Sequence, residues 1–269
     1  MKFLTLIEIE IKKMIPWLAT LFIGLTAIST AMFYRSIGNY KDQMLPEIMN
    51  TSVTEYVQEY GKLSLNQVFD GTAFLPLSYI FAALLLVCVA FYLWYKEWFG
   101  ASKRIYTLLS IKGSRLRIFF SKLTVFLLIF VSYYGLILLN LYIGGIMMGY
   151  VLPDNTVADN LVQNALLYSM FIPYAIPVSL NSLVFNLAFI VMMFAILSVF
   201  VLLDRSKKVW GMIGGLIYVI GSIVLFFYIN IGLYLFTTER VQINWAFVGV
   251  FLVGSTLISY YLLKKKVSI

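Results

Sequence analysis

Residues 95–122 read YKEWFGASKRIYTLLSIKGSRLRIFFSK and lie between two long apolar runs. Seven of the twenty Lys and Arg residues of the chain fall in this segment. Each such charge would cost roughly 2.5–3.5 kcal/mol at the centre of a bilayer. The segment therefore cannot cross a membrane, and we expect it to be a loop at the cytoplasmic face.

The interior of this segment has the pattern of a short amphipathic helix. Ile105, Leu108 and Leu109 fall on one side, and the basic residues lie elsewhere. Gly100 can end the preceding helix and Ser102 can cap a new one. A helix of this kind beneath a membrane would present basic groups to a soluble partner. The plainer interpretation is a basic loop that only follows the positive-inside rule, and the residues alone leave both open.

The composition is that of a membrane protein. Hydrophobic residues make up 62% of the chain and charged residues 12%, and soluble domains carry about twice that charged fraction. The net charge of +8 is better explained by topology than by nucleic-acid binding. The chain has no histidine, which removes the commonest transition-metal ligand and the usual general base. The single cysteine, Cys88, excludes an intrachain disulfide.

Six apolar runs are each long enough to cross a hydrocarbon core of ~30 Å, which needs about 20 residues. They are residues 15–34, 75–95, 118–148, 183–203, 209–231 and 245–263. Residues 1–14 predict an interfacial helix, because apolar positions share one face and Glu8 lies four residues before Lys12. Lys122, at the start of the third run, is expected to snorkel to the headgroups. The sequence predicts an all-α polytopic protein whose residues 1–269 form one transmembrane domain.

The placement of charge predicts the orientation of these spans. With both termini in the cytosol, sixteen basic residues lie inside and only four, Arg35, Lys41, Lys62 and Arg240, lie outside. Eight of the twelve acidic residues then lie outside. Residues 161–180 are also uncharged, but a seventh span there would move basic clusters outside. We therefore expect residues 161–180 to form a partly buried or re-entrant external segment, and residues 53–60 a short outer helix.

Motifs for catalysis or ion coupling are not found in the sequence. There is no G-x-x-x-x-G-K-[ST] pattern, no paired-carboxylate site within the spans and no Cys/His cluster. The span interiors hold only amides and hydroxyls, which favours interhelical hydrogen bonds over a substrate role. These polar residues are Asn140, Asn186, Asn230, Ser132, Ser198 and Ser222. We expect a non-enzymatic chain that binds no cofactor itself.

Small residues mark surfaces where helices can approach closely. Gly211 and Gly215 fit a G-x-x-x-G spacing, as do Gly145 and Gly149, and Gly221 extends the small face of the fifth run. Such a face can pack within one chain or between two chains. If it packs between chains, Gly211, Gly215 and Gly221 are candidates for a dimer interface.

The central segment resembles the loop between the second and third spans of bacterial type-two ABC permeases. The resemblance rests on Glu97-Trp98, on residues 105–109 (IYTLL), on Gly113-Ser114-Arg115 and on residues 121–123 (SKL). The motif covers about thirty residues, and the six-span topology covers nearly the whole chain.

The resemblance implies a half-transporter. Two copies, or two related permeases, would pair with two cytosolic ATPase subunits that bind ATP and Mg²⁺. Residues 96–117 would then be the coupling segment. Its implied contact residues are Glu97, Trp98, Lys103, Arg104, Tyr106, Leu108, Leu109 and Lys112. The chain would lie in the bacterial cell membrane with membrane lipid around it.

The implied activity is ATP-driven export of an amphipathic or lipophilic cargo, such as a peptide, an antimicrobial or a lipid-like compound. Two alternatives stay open. One is a self-sufficient secondary carrier or channel, and the other is a membrane-anchored structural or immunity protein. Transport by the purified chain in liposomes without ATP would separate the first alternative from an ATPase-coupled permease.

Overall fold

The computed structural model of the chain describes residues 3–99, 116–207 and 209–266. Within these ranges the chain is helical and contains no strand. The α-helices, numbered in chain order, are α1 (Phe3–Asn50), α2 (Val53–Tyr60), α3 (Leu65–Asp70), α4 (Phe74–Phe99), α5 (Leu116–Val151), α6 (Leu161–Tyr168), α7 (Ile172–Ala175), α8 (Leu180–Lys207), α9 (Val209–Phe227) and α10 (Thr237–Tyr261). π-Helical turns follow α9 at Tyr228–Gly232 and α10 at Leu262–Lys266.

Six helices in the described ranges are long and apolar enough to cross a membrane, namely α1, α4, α5, α8, α9 and α10. Each covers one of the six apolar runs found in the sequence, and the runs 209–231 and 245–263 end in the π-helical turns that follow α9 and α10. A helix satisfies its backbone hydrogen bonds within its own segment, which is what a lipid environment requires. The predicted all-α chain with six helices able to span a membrane is therefore confirmed.

Helix α1 is longer than the predicted first span. Its 48 residues would extend about 72 Å at 1.5 Å per residue, more than twice the hydrocarbon thickness of ~30 Å. The interfacial helix predicted for residues 1–14 is not a separate element, because the helix passes through Pro16 without a break. A proline in a helix has no N–H to donate to the carbonyl of residue i−4, which here is Lys12. Thr20 Oγ1 donates to the Pro16 carbonyl oxygen at 3.0 Å, a separate side-chain bond within the helix.

The other end of α1 passes the predicted boundary at residue 34 and reaches Asn50. The reason is an apolar face that continues beyond the charged residues. Phe33, Ile37 and Met44 are all buried and lie at helical spacing. Ser36, on the same stretch, donates from Oγ to the carbonyl oxygen of Val68 at 3.2 Å. This part of α1 is therefore stabilised by its buried apolar side chains and by the hydrogen bond to Val68.

Contacts divide the chain into two compact units. The first comprises Met1–Met14, Leu86–Ile129 and Val184–Ile269, and the second comprises Ile15–Leu85 and Phe130–Leu183. An aromatic and aliphatic core in the first unit joins α8, α9 and α10. Its buried residues are Met192, Ile196, Ile229, Phe247 and Val248. The ring centroids of Phe247 and Phe251 lie 4.5 Å apart within this core.

Two connecting segments of the second unit, residues 62–70 and 153–172, pair with each other. We call them the paired-loop module. The backbone N–H of Leu63 donates to the carbonyl oxygen of Thr156 at 2.8 Å, and the N–H of Ala158 donates back to Leu63 at 2.9 Å. These two bonds form an isolated bridge rather than a sheet. The connections of the second unit are thus fixed by their own backbone groups.

Residues 161–180, which resemble a seventh span in hydropathy, form the short helices α6 and α7 and the start of α8. Neither α6 nor α7 is long enough to cross a membrane. Asp70 ties this segment to α3, since its carboxylate accepts from Ser169 Oγ and from the backbone N–H of Met170, each at 2.8 Å. The short helix predicted at residues 53–60 forms as α2, with none of its residues fully buried.

Candidate ion-paired functional site

Four charged residues of the first unit, two of which begin the predicted coupling segment, lie close together. Glu10 lies near the start of α1, Lys96 and Glu97 lie near the end of α4, and Lys122 lies in the second turn of α5. We call this group the ionic cluster. The chain leaves the cluster at the end of α4 and returns to it at the start of α5. The cluster therefore holds both ends of the connecting segment.

The geometry of the ionic cluster centres on Glu10. One carboxylate oxygen of Glu10 lies 2.6 Å from Lys96 Nζ and the other lies 3.3 Å from Lys122 Nζ. Lys122 Nζ also lies 3.7 Å from an oxygen of Glu97. Two carboxylates and two ammonium groups make the cluster electrically neutral. Each member comes within ion-pair distance of at least one opposite charge.

Three of the four residues of the ionic cluster are buried, and the side chain of Lys96 is 12% exposed. Exposure is 1% for Lys122, 2% for Glu97 and 5% for Glu10. Withdrawing ions from water costs several kcal/mol per ion, and only good geometry with further hydrogen bonds offsets that cost. Lys122 has such a bond, because it donates to the carbonyl oxygen of Leu93. Its Nζ also lies 5.4 Å from the centre of the Trp94 ring, within the range of a cation–π contact.

A second set of contacts joins the end of α4 to the end of α8. Trp94 Nε1 donates to Ser198 Oγ at 2.9 Å. Tyr95 donates from its hydroxyl to Asp204 at 3.0 Å, and the Arg205 guanidinium lies 5.1 Å from the Tyr95 ring. Together with the ionic cluster, these contacts connect α1, α4, α5 and α8 around the ends of the connecting segment.

The structure corrects one expectation drawn from the sequence. Lys122 does not snorkel to the headgroups, because its ammonium is turned inward to two carboxylates. Glu10 and Glu97 both approach the same lysine but lie outside the predicted spans, so the expected lack of a paired-carboxylate site within the spans stays a prediction. Lys122 and Glu10 are 112 positions apart in the chain. The sequence signal that could have indicated this contact is the presence of opposite charges at the ends of several apolar runs.

Of the predicted coupling residues, Glu97 is part of the ionic cluster and Trp98 lies in the last turn of α4. The remaining six predicted residues lie outside the described part of the chain. They are Lys103, Arg104, Tyr106, Leu108, Leu109 and Lys112. Their proposed contact with a partner stays a prediction.

Two of the three glycines considered for a dimer interface contact α8 of the same chain. A Cβ on Gly211 would lie 1.9 Å from the carbonyl oxygen of Leu203, and one on Gly215 would lie 2.8 Å from Cδ2 of Phe200. The absence of side chains at these positions allows α8 and α9 to pack closely. Gly221 has no atom within 4 Å of a built Cβ, and its role at a dimer interface stays a prediction.

The arrangement can do two things chemically. A neutral, buried set of ion pairs can fix helix ends in one register, and a carboxylate pair beside a lysine can also exchange protons.

Comparison of the chain with protein-family models, curated proteins and solved structures finds no match.

Proposed function

We propose that this chain is the membrane-spanning subunit of an ATP-driven exporter of the type-two ABC class. Two permease subunits form the translocation path, and two cytosolic ATPase subunits supply the energy. The chain lies in a bacterial cell membrane with both termini and residues 96–117 in the cytosol. The sixteen-to-four distribution of basic residues supports that orientation.

The ionic cluster is the observation that carries this proposal. Residues 96–117 contain the amphipathic basic pattern suited to a soluble partner. The cluster ties the first two residues of that segment to α1 and to Lys122, which lies five positions after the segment ends. A displacement of the segment should therefore move α1, α4 and α5 together. Coupling of this kind needs a two-state element that a partner can bias.

The lining of the first unit supports an amphipathic or lipophilic cargo. A cavity of about 230 Å³ lies among α8, α9 and α10, lined by side chains such as Met192, Ile196 and Phe226. The Ser222 hydroxyl in this lining donates to the Val219 carbonyl at 2.7 Å, so it already has a partner. A cavity of this kind favours hydrocarbon over a hydrated ion.

A secondary carrier is the second candidate, and the ionic cluster also gives it support. Buried carboxylates beside lysines occur in proton-coupled carriers. In that case Glu10 or Glu97 would take up and release a proton during transport. The chain would then need no ATPase subunit.

Purification of the tagged chain from its native membrane tests the proposal. We expect a cytosolic ATP-binding subunit to co-purify and to hydrolyse ATP. Replacing Arg104 and Leu108 with glutamate should abolish transport or separate it from ATP hydrolysis, because the partner contact would lose its charge and its apolar face. The control is Lys264→Glu, which changes an exposed basic residue distant in sequence.

Transport by the purified chain alone, driven by a proton gradient in liposomes, would overturn the proposal and support the carrier. Under the proposal, Glu97→Gln disturbs coupling but leaves the complex dependent on ATP. Under the carrier hypothesis, the same change removes the response to the proton gradient.

A further inference from the structure

A second cavity lies in the other unit, between the C-terminal part of α5 and the segment that enters α6. Its volume is about 460 Å³, which is within the 300–1,000 Å³ typical of small-molecule sites. One wall is formed by Tyr142, Gly145 and Ile146, and the facing wall includes Asn160, Leu161 and Gln163. The cavity does not involve the ionic cluster.

The cavity exists because of two local features of the backbone. Gly145 has no side chain, and a Cβ built there would meet only Leu161, with Cδ1 at 3.5 Å. Asn160 has a φ of 54°, a left-handed conformation that asparagine tolerates better than most residues. The turn at Asn160 directs the chain into α6. The bridge between Leu63 and Val157 holds the preceding residues in place.

The chemistry of the lining is divided between apolar and uncharged polar groups. Gly145, Ile146 and Leu161 offer an apolar surface. The amides of Asn160 and Gln163 each supply a hydrogen-bond donor and an acceptor. None of the lining residues is charged. The ion pair of Lys62 with Asp159, which precedes Asn160, joins opposite charges at 3.7 Å and adds no net charge.

The cavity opens on a helix that can cross a membrane. Tyr142 and Ile146 belong to α5 and are exposed to 61% and 43%. A tyrosine at such a position suits a membrane interface, because its ring is apolar and its hydroxyl is polar. A molecule can thus enter from the lipid side with its hydrocarbon part and reach Asn160 and Gln163 with its polar part.

We propose that this cavity binds one uncharged amphiphile, with its hydrocarbon chain against Gly145, Ile146 and Leu161 and its hydroxyl-bearing head against Asn160 and Gln163. A membrane lipid or a lipid-like cargo could supply this chemistry. The site stands on the cavity and its lining, and it does not require that transport be driven by ATP.

Photolabelling of the full-length protein in phosphatidylcholine nanodiscs tests the site. The probe is a monoacylglycerol with a diazirine in its acyl chain, and mass spectrometry locates the adducts. We expect saturable labelling within residues 142–163, competed by unlabelled monoacylglycerol. Ionised fatty acid should compete poorly, because it would bring a charge to an uncharged lining.

A matched pair of substitutions separates the cavity from the nearby helix surface. Gly145→Phe fills the cavity and should reduce labelling to background. Gly149→Phe lies one turn further along α5, where a Cβ would meet no atom within 4 Å, and should keep labelling unchanged. Gln163→Leu removes one hydrogen bond worth about 1 kcal/mol, so labelling affinity should fall about fivefold.

Equal labelling of the Gly145→Phe and Gly149→Phe variants would overturn the proposal, as would labelling that does not saturate. If Gly145→Phe fails to fold, the exposed Gln163 supplies the decisive variant, and an unchanged affinity in Gln163→Leu would count against the site.

Lipid analysis of the purified protein distinguishes a membrane lipid from a lipid-like cargo. A resident lipid co-purifies with the wild type and is depleted in Gly145→Phe, whereas a cargo competes with the probe without co-purifying.

Discussion

The ionic cluster and the paired-loop module contain ion pairs of similar length in very different surroundings. Lys122 lies 3.3 Å from Glu10, and Lys62 lies 3.7 Å from Asp159. Lys122 is 1% exposed, whereas the side chains of Lys62 and Asp159 are 41% and 90% exposed. Water screens the second pair and leaves the first almost unscreened. Burial, rather than distance, decides which of these pairs the fold depends on.

The two regions also differ in what holds them together. The ionic cluster joins side chains from three helices, with a lysine and two carboxylates at its centre. The paired-loop module relies on backbone hydrogen bonds at Leu63 and on the carboxylate of Asp70. A change to one side chain should therefore affect the cluster more than the module. The following predictions test that difference, in order of expected effect.

Lys122→Met should produce the largest loss of stability, about 3–5 kcal/mol, because Glu10 and Glu97 would keep buried charge beside one remaining lysine. Reversible unfolding in mixed detergent micelles measures this loss. Lys12→Met is the matched control, since Lys12 pairs with Glu8 on the surface at 2.7 Å and should cost less than about 0.5 kcal/mol. Similar losses in the two variants would refute the importance of burial.

Asp70→Ala should cost about 2–3 kcal/mol, because it removes a charged acceptor shared by Ser169 and Met170. The same unfolding measurement applies, and proteolysis near residue 170 should become faster. Asp154→Ala is the control, as Asp154 is an exposed carboxylate of the same module. Equal stability of the Asp70 and Asp154 variants would mean that the backbone bridge alone fixes the module.

Trp94→Phe should cost about 1 kcal/mol from loss of its hydrogen bond to Ser198, plus part of the ring contact with Lys122. A double-mutant cycle with Ser198→Ala isolates the hydrogen bond. A coupling energy near zero would show that the link between α4 and α8 contributes no stability through this bond.

Lys62→Met should have the smallest effect, less than about 0.5 kcal/mol, because its ion pair with Asp159 is exposed. In the wild type, salt should weaken the Lys62–Asp159 ion pair slightly by screening it. The Lys62→Met variant lacks this ion pair, so its stability should not show this contribution to salt dependence. A loss comparable to that of Lys122→Met would contradict the ranking.

The sequence was sufficient to predict the six long helices, because hydrocarbon thickness requires long apolar runs. It also indicated Glu97 as a residue of interest. It could not predict that Glu10 and Glu97 approach Lys122, since that depends on which faces of α1, α4 and α5 pack together. The continuation of α1 to Asn50 was readable in part from the spacing of Phe33, Ile37 and Met44.

The paired-loop module could not be predicted for a related reason. The bridge between Leu63 and Val157 consists of backbone groups, which every residue other than proline carries. The small-residue spacing at Gly211 and Gly215 correctly indicated a close helix contact. It could not say whether the contact lies within the chain, as observed against Leu203 and Phe200, or between chains.

Site-directed photocrosslinking from position 104 tests the central claim most directly. In a Cys88→Ser background, Arg104→Cys would carry a benzophenone maleimide, with Tyr60→Cys as the control on the opposite predicted face. We predict that position 104 crosslinks to a cytosolic nucleotide-binding subunit and that position 60 does not. A crosslink to such a subunit from position 60, or none from position 104 in membranes that transport, would contradict the account.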